Sequence, residues 1–125
     1  MAYSVRDIIE RLFAAYEAKD HQAALDLFAD DAVFFDPHYP DPLMEGKDAI
    51  GGAIGWVFGS MNKLGFAIRN YFEAEGGEKA AVEVDSDHEL GNGQAVQFPQ
   101  VFVVETRDGK ITRLQAYEPY GPPTQ

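Results

Sequence analysis

Hydrophobic residues recur at helical spacing in three segments of the chain. Between Tyr3 and Lys19 they occupy one helical face, at Val5, Ile8, Ile9, Leu12 and Tyr16. Ser4 can cap this helix, because Asp7 follows three residues later. A shorter helix is predicted from Gln22 to Phe28, and a third from Lys47 to Met61.

A period of two replaces the helical period in the remaining segments. A β-type run covers Ala32–Asp36 and ends at Pro37, where a proline-rich loop begins. Four alternating runs separated by glycine turns follow the third helix: Leu64–Ala74, Lys79–Leu90, Gln94–Thr106 and Ile111–Tyr117. Strands joined in this way form an antiparallel meander. The pattern predicts an α+β fold in which helices cover a strongly curved sheet and enclose a pocket.

Composition narrows the possible partners. A chain of 125 residues predicts one domain spanning 1–125, and the absence of cysteine excludes disulfides and thiolate metal sites. The net charge of −11 argues against binding to nucleic acid or to an anionic membrane. No apolar run is long enough to cross a bilayer, and the first ten residues lack the features of a signal peptide. We therefore expect a cytoplasmic protein.

Ala14–Asp20 and Ala24–Pro37, with the run F-A-D-D-A before a strand that ends in D-P, resemble the opening of the SnoaL-like and ketosteroid isomerase-like proteins of the NTF2-like superfamily. Glu45–Ile50 resembles its loop into the third helix, and Val101–Val104 with Asp108–Ile111 resembles its last hairpin. The resemblance implies an NTF2-like cone, with about three N-terminal helices on a strongly curved, mostly antiparallel sheet around a pocket, and a homodimer. The fold hosts isomerases, cyclases, dehydratases, hydrolases and binding modules, so it does not define the function.

Asp36 is the candidate general base. It falls where ketosteroid isomerases carry their aspartate, and it shares a strand face with Phe34 and His38. Apolar neighbours would raise the pKa of this carboxyl toward a useful value for a base. The alternative is a structural role, in which Asp36 caps the turn at Pro37.

The candidate oxyanion donors depart from the family pattern. Leu12 occupies the position of the family's tyrosine, and Tyr16 is the possible substitute one turn further on, with core packing as its alternative. Gln100 occupies the position of the protonated aspartate, and its amide could donate to a ligand or bond another buried polar group. His88 lies in a row of apolar residues on its strand. It could act as an acid or base near neutral pH, or it could be a histidine of the core. These departures argue against steroid isomerisation itself.

The last strand leaves its register open. Glu118 shares a strand face with Thr112, Leu114, Ala116 and Tyr120, and it enters the pocket if that face points inward. An acidic residue at this place on the last strand resembles the SnoaL-type cyclases. Ile111 and Tyr117 on the other face are equally apolar. An outward face bearing Val101, Val103, Ile111 and Tyr117 would suit a dimer contact. Trp56 suits a pocket wall or the core.

Together these observations predict a small-molecule-binding protein without a cofactor, of the isomerase, cyclase or dehydratase type. Its ligand would be a small apolar organic carbonyl compound. The predicted catalytic residues are Asp36, Gln100 and His88. The predicted substrate-binding residues are Tyr16, Phe34, His38, Trp56, Phe98, Phe102, Glu118 and Tyr120. A metal site from Asp36, His38, Asp41 and His88 is the weaker hypothesis, and no metal is predicted. The alternative function is a non-catalytic ligand-binding or dimerisation module.

Overall fold

The computed structural model of the chain describes residues 3–121. The helices are α1 (Val5–Ala18), α2 (His21–Leu25) and α3 (Gly46–Ser60). The strands are β1 (Phe28–Phe35), β2 (Leu43–Glu45), β3 (Met61–Lys63), β4 (Phe66–Glu73), β5 (Lys79–Leu90), β6 (Ala95–Arg107) and β7 (Lys110–Tyr117). No helix in residues 3–121 is long and apolar enough to cross a membrane.

Local capping explains where the first two helices begin. The predicted cap of α1 is confirmed, since Ser4 Oγ accepts a hydrogen bond from the Asp7 amide at 3.1 Å. Asp20 caps α2 in the same way, accepting from the Ala23 amide. Helix α2 ends at Leu25, before its predicted end at Phe28. Phe28 instead begins β1, because its backbone pairs with β7.

The strands form one sheet in the order β2-β1-β7-β6-β5-β3, with β4 also paired to β5. The predicted antiparallel meander is confirmed for β4 to β7. Strand β1, by contrast, joins the sheet parallel to β7, so that the sheet is mixed. Strands β2 and β3 were not predicted, because three residues are too few to show an alternating pattern.

The helices pack their apolar faces against the concave side of the sheet. Fully buried side chains come from α1 (Ile8, Ile9), α3 (Ile50, Ile54) and the inner faces of the strands (Val82, Val84, Val104). The fold is the expected NTF2-like α+β cone, with three helices and a curved, unclosed mixed sheet.

One prediction for the outer face of the sheet was wrong. Ile111 is fully buried in the core and does not lie on the outer face. The register of the β6–β7 pair shifts between Glu105 and Thr106. Because of this shift, the Ile111 side chain points to the side of the sheet opposite to the one that strict alternation predicts. Tyr117, beyond this shift, is 52% exposed, so its neighbour Glu118 points inward.

Candidate active site

A cavity of about 530 Å³ opens at one end of the cone. Its walls come from the loop after β1, the C-terminal half of α3, and strands β5 and β6. Asp36, His88, Gln100 and Glu118 all contribute to the wall, among mainly apolar and aromatic side chains. The cavity thus combines an apolar interior with a few polar groups, as small-molecule sites usually do.

Asp36 and Glu118 reach this cavity because β1 and β7 are parallel neighbours. Asp36 follows the last residue of β1, and Glu118 follows the last residue of β7. Parallel strands end at the same edge of a sheet, so the two carboxyl groups are neighbours. Both are buried, with Asp36 6% exposed and the Glu118 side chain 1% exposed.

The Asp36 carboxyl holds its proton at neutral pH. Burial first, and then the hydrogen bond and negative charge of Glu118, together raise its pKa from 3.8 to about 8. Only the hydrogen bond that Asp36 Oδ1 accepts from the His38 amide, at 2.9 Å, and the charge of His38 oppose this shift. That bond is the turn cap predicted as the alternative role of Asp36, and it leaves the other oxygen free of the turn.

His38 lies beside the carboxyl pair and has two neighbours of its own. Its Nε2 is 2.6 Å from Glu118 Oε2 and 3.0 Å from the Tyr120 carbonyl oxygen. Burial alone would lower the pKa of His38, but these contacts and the charges of Glu118 and Asp36 raise it overall. His38 therefore favours its charged form next to Glu118.

His88 is neutral and presents a donor. Burial lowers its pKa from 6.5 to about 4, more than the nearby Asp87 raises it. Its Nδ1 accepts a hydrogen bond from the Gly65 amide at 3.2 Å. In the tautomer that accepts from Gly65, the ring proton is on Nε2, and His88 is a residue of the cavity wall.

Gln100 uses its amide nitrogen inside the protein. Its Nε2 donates to Ser86 Oγ at 2.5 Å, and both side chains are buried. Its Oε1 has no hydrogen-bond partner. The alternative stated for Gln100, a bond to a second buried polar group, is therefore present, and it uses one of the two N–H groups of the amide.

Two tyrosine hydroxyls form a buried pair near Asp36. Tyr16 and Tyr39 are joined through their hydroxyl oxygens at 3.1 Å. Burial, above all, raises the pKa of both, so both keep their protons. Tyr39 lines the cavity, whereas Tyr16 stands behind it. The ring of Tyr39 also packs on Trp56, with ring centroids 5.5 Å apart.

The predicted substrate-binding residues divide into two groups. The structure places His38, Trp56, Phe98 and Glu118 on the cavity wall. It does not place Tyr16, Phe34, Phe102 or Tyr120 there. The first three of these are in the hydrophobic core, where Phe102 packs on Phe13, and the side chain of Tyr120 is 66% exposed.

Sequence reasoning did not single out Tyr39 or Ser86. Tyr39 lies in the proline-rich loop, where no periodic pattern indicates the direction of a side chain. Ser86 lies on the buried face of β5, and its hydroxyl needs a partner there. A serine among buried apolar residues, two residues before His88, was the available signal.

A divalent cation has one possible set of ligands in residues 3–121. Ligand atoms of Asp36, His38 and Glu118 lie within 4.8 Å of one another. Asp41 and His88, from the weaker metal hypothesis, do not join this set. A metal would have to displace the proton that Asp36 holds beside Glu118. The expectation of no metal stays a prediction.

Solved structures with the same fold come from several bacteria. The Δ5-3-ketosteroid isomerase of Mycobacterium sp. is 24% identical, with 92% of this chain and 93% of that chain covered and a TM-score of 0.82. A Mycobacterium tuberculosis protein in complex with estradiol-17β-hemisuccinate is 24% identical, with 92% and 94% covered and a TM-score of 0.82. A Catenulispora acidiphila protein with a ketosteroid isomerase-like fold, in complex with trimethylamine, is 22% identical, with 92% and 85% covered and a TM-score of 0.79.

These likenesses concern the fold. No curated protein sequence matches this chain closely enough to count as a relative. The model of the SnoaL-like domain, in contrast, matches residues 9–114, which is most of the chain. The chain therefore belongs to the SnoaL-like domain family.

Proposed function

We propose that this protein is a cofactor-independent proton-transfer enzyme of the isomerase, cyclase or dehydratase type, acting on a small, largely apolar carbonyl compound. One observation carries the proposal: the Asp36 carboxyl is buried on the wall of an apolar cavity, next to a second carboxyl, with its pKa raised to about 8. A carboxyl with a pKa near the working pH can both take and return a proton.

In this mechanism the ionised form of Asp36 takes a proton from the carbon next to the carbonyl group. The C–H electron pair moves into the new C=C bond, and negative charge collects on the carbonyl oxygen. Asp36 then returns the proton to a carbon of the product. Glu118 keeps the proton affinity of Asp36 high enough for the first transfer, through the contact described above.

The developing negative charge needs hydrogen-bond donors. We assign this role to His88 Nε2–H and the Tyr39 hydroxyl, both on the cavity wall. Gln100, expected from the sequence to fill this role, uses one of its two amide N–H groups on Ser86, and its second N–H makes it the third candidate donor.

Deuterium exchange tests the chemistry without knowledge of the natural substrate. The α-protons of 2-tetralone in D₂O can be followed by proton NMR with wild-type protein, with Asp36→Asn and with no protein. We expect wild type to accelerate exchange and Asp36→Asn to lose about 10²-fold or more of that acceleration. Asp41→Asn is the matched control, because Asp41 is exposed in the same loop and is not on the cavity wall. Equal acceleration by Asp36→Asn would contradict the proposal.

The second candidate is a binding module without chemistry. The cap that Asp36 provides for its own turn favours it, since a structural aspartate would make the same bond. Neighbouring structures of the same fold hold small organic ligands. Binding of 2-tetralone without any accelerated exchange would support this candidate over the enzyme.

We also propose that the protein is a homodimer that uses the outer face of the sheet. Tyr117 is exposed there, and Val101, which pairs with it across β6 and β7, is only half-buried. Light scattering after size exclusion should give twice the mass of the chain, and a monomer at micromolar concentration would contradict a dimer. The cytoplasmic location stays a prediction of the sequence.

A further inference from the structure

One residue of the cavity wall contacts both buried carboxyl groups. The His38 amide donates to Asp36 Oδ1 at 2.9 Å, and the ring nitrogen His38 Nε2 lies 2.6 Å from Glu118 Oε2. The same nitrogen is 3.0 Å from the Tyr120 carbonyl oxygen, so both oxygens are within reach of its N–H. His38 therefore joins the loop after β1 to the segment after β7, at the place where the two carboxyl groups meet.

The two contacts of His38 are not equivalent. Asp36 receives a neutral peptide N–H, whereas Glu118 faces an imidazole ring that becomes a cation when it takes a proton. A charged partner binds a carboxylate about twice as strongly as a neutral one, and an opposite charge nearby favours the ionised form. The two carboxyl groups are hydrogen-bonded to each other. When they carry one negative charge between them, that charge is therefore more stable on Glu118, and the remaining proton lies on Asp36.

Among the described residues of the cavity wall, no second cation competes with His38. The wall holds no lysine or arginine there. His88, which faces the site from β5, is neutral because burial lowers its pKa to about 4. The hydroxyls of Tyr16 from α1 and Tyr39 from the loop after β1 keep their protons. Phe98 from β6 packs on the His38 ring, with centroids 5.1 Å apart, and brings no charge.

We propose that His38 is the positioning residue that decides which of the two carboxyl groups acts as the base. Its charged ring holds the negative charge on Glu118, and the proton that a substrate exchanges with the protein then belongs to Asp36. This inference rests on the proposed function, because the location of the proton matters to catalysis only if Asp36 transfers it. It adds a third member to the carboxyl pair, one that acts through Glu118.

Carboxyl carbon NMR locates the proton directly and requires no substrate. The signals of Asp36 and Glu118, assigned with Asp36→Asn and Glu118→Gln, are followed against pH. A coupled pair loses its two protons in two steps. In wild type, the Asp36 signal should make less than about a tenth of its total shift in the first step, and the rest near pH 8. In His38→Gln, which keeps an N–H donor but cannot carry a charge, that share should rise severalfold.

His21→Gln is the matched control, because the His21 ring also contacts a backbone carbonyl oxygen, that of Gly51, and does not line the cavity. It should leave both titrations as they are in wild type. An Asp36 signal that moves mainly in the first step in wild type would overturn the inference, as would an unchanged share in His38→Gln. If His38→Gln does not fold, the ring nitrogen signals of wild type decide. A neutral His38 ring at about pH 6 would overturn the inference, and a charged ring would support it.

The titrations and the deuterium exchange can fail separately. The expected titrations in a protein that catalyses no exchange would contradict the proposed chemistry and leave the role of His38 supported. Exchange that depends on Asp36, with titrations that His38→Gln does not alter, would support the chemistry and overturn this inference.

Discussion

The carboxyl groups of Asp36 and Glu118 meet because β1 and β7, the first and last strands of residues 3–121, pair in parallel. Phe35 of β1 is in register with Gln115 of β7, so the residues just beyond both strands lie at one edge of the sheet. His38 lies beside both carboxyl groups, and the Tyr16–Tyr39 pair lies near Asp36. This arrangement controls where the site holds a proton, and most predictions below depend on it.

Catalysed deuterium exchange should rise with pH and level off above about pH 8. Only ionised Asp36 can take a proton, and its pKa is about 8 in the folded protein. Glu118→Gln should move the midpoint to lower pH, because it removes the negative charge that opposes ionisation. Burial, the larger cause, remains, so the midpoint should stay above the ordinary value of 3.8. The measurement is the exchange rate against pH after subtraction of the protein-free rate. A midpoint that Glu118→Gln leaves unchanged would contradict the coupling of the two groups.

Asp36 should also make the folded state less stable at high pH. The folded chain keeps this proton up to about pH 8, whereas the unfolded chain releases it near 3.8. Between these values the folded state binds more protons, so its stability falls as the pH rises. Asp36→Asn cannot ionise and can still accept the turn bond. Its free energy of unfolding should gain on wild type by up to about 1.4 kcal/mol per pH unit across this range.

Urea unfolding of both proteins, at one pH below and one above neutrality, measures this difference. Leu64→Ala is a suitable control, because Leu64 is a buried residue of the same cavity wall without a titratable group. Its difference from wild type should be the same at both pH values. A constant difference between wild type and Asp36→Asn would show that Asp36 ionises equally in both states.

His88 should have the opposite effect on stability. Its pKa is about 4 in the folded protein and near 6.5 in an unfolded chain. Between these values the unfolded state binds more protons, so stability is lost as the pH falls from about 6.5 toward about 4. His88→Asn, whose side-chain oxygen can accept from the Gly65 amide, should lose less stability over that range. Thermal unfolding at several pH values measures it, and parallel curves for the two proteins would refute this role.

Gly65 should not tolerate a side chain. A Cβ at this position would lie 2.7 Å from the Asp87 carbonyl oxygen, which is backbone and cannot easily move. Gly65→Ala should therefore cost about 1–3 kcal/mol in the free energy of unfolding, and it should displace the amide that His88 Nδ1 uses. Gly52→Ala is the matched control, since nothing lies within 4 Å of its Cβ position on α3. That substitution should stabilise the helix by about 0.5–1 kcal/mol. Denaturant titration compares the two, and a stable Gly65→Ala would contradict the close approach.

The sequence predicted the elements of the fold better than their pairing. Periodicity identified α1, α3 and the long strands, because each contains enough residues to show a repeat. The parallel pairing of β1 with β7 could not be predicted from these local patterns, since it joins residues from opposite ends of the chain. The register of β7 stayed open for a related reason. The register shift after Glu105 reverses which face of β7 points inward, and the alternation of apolar and polar residues along β7 does not reveal it.

The candidate site shows a similar division. Asp36 was found from its resemblance to the aspartate position of the ketosteroid isomerases, and His88 because a polar residue in an apolar row stands out. Glu118 was recognised as conditional on the register. The bond between Gln100 and Ser86 joins side chains of different strands, and no pattern along one strand reveals it. Phe34 and Phe102 were expected on the cavity wall because aromatic residues suit both places, and they are in the core.

The parallel pairing of β1 with β7 has a consequence during synthesis on the ribosome. The strand that leads to Asp36 is made early, yet its partner β7 is made after every other strand of the sheet. A nascent chain that has not yet released β7 cannot bring Glu118 to Asp36. Asp36 then lacks the hydrogen bond and the negative charge of Glu118, which raise its pKa in addition to burial. The full proton affinity of Asp36 is therefore reached only when β7 docks beside β1.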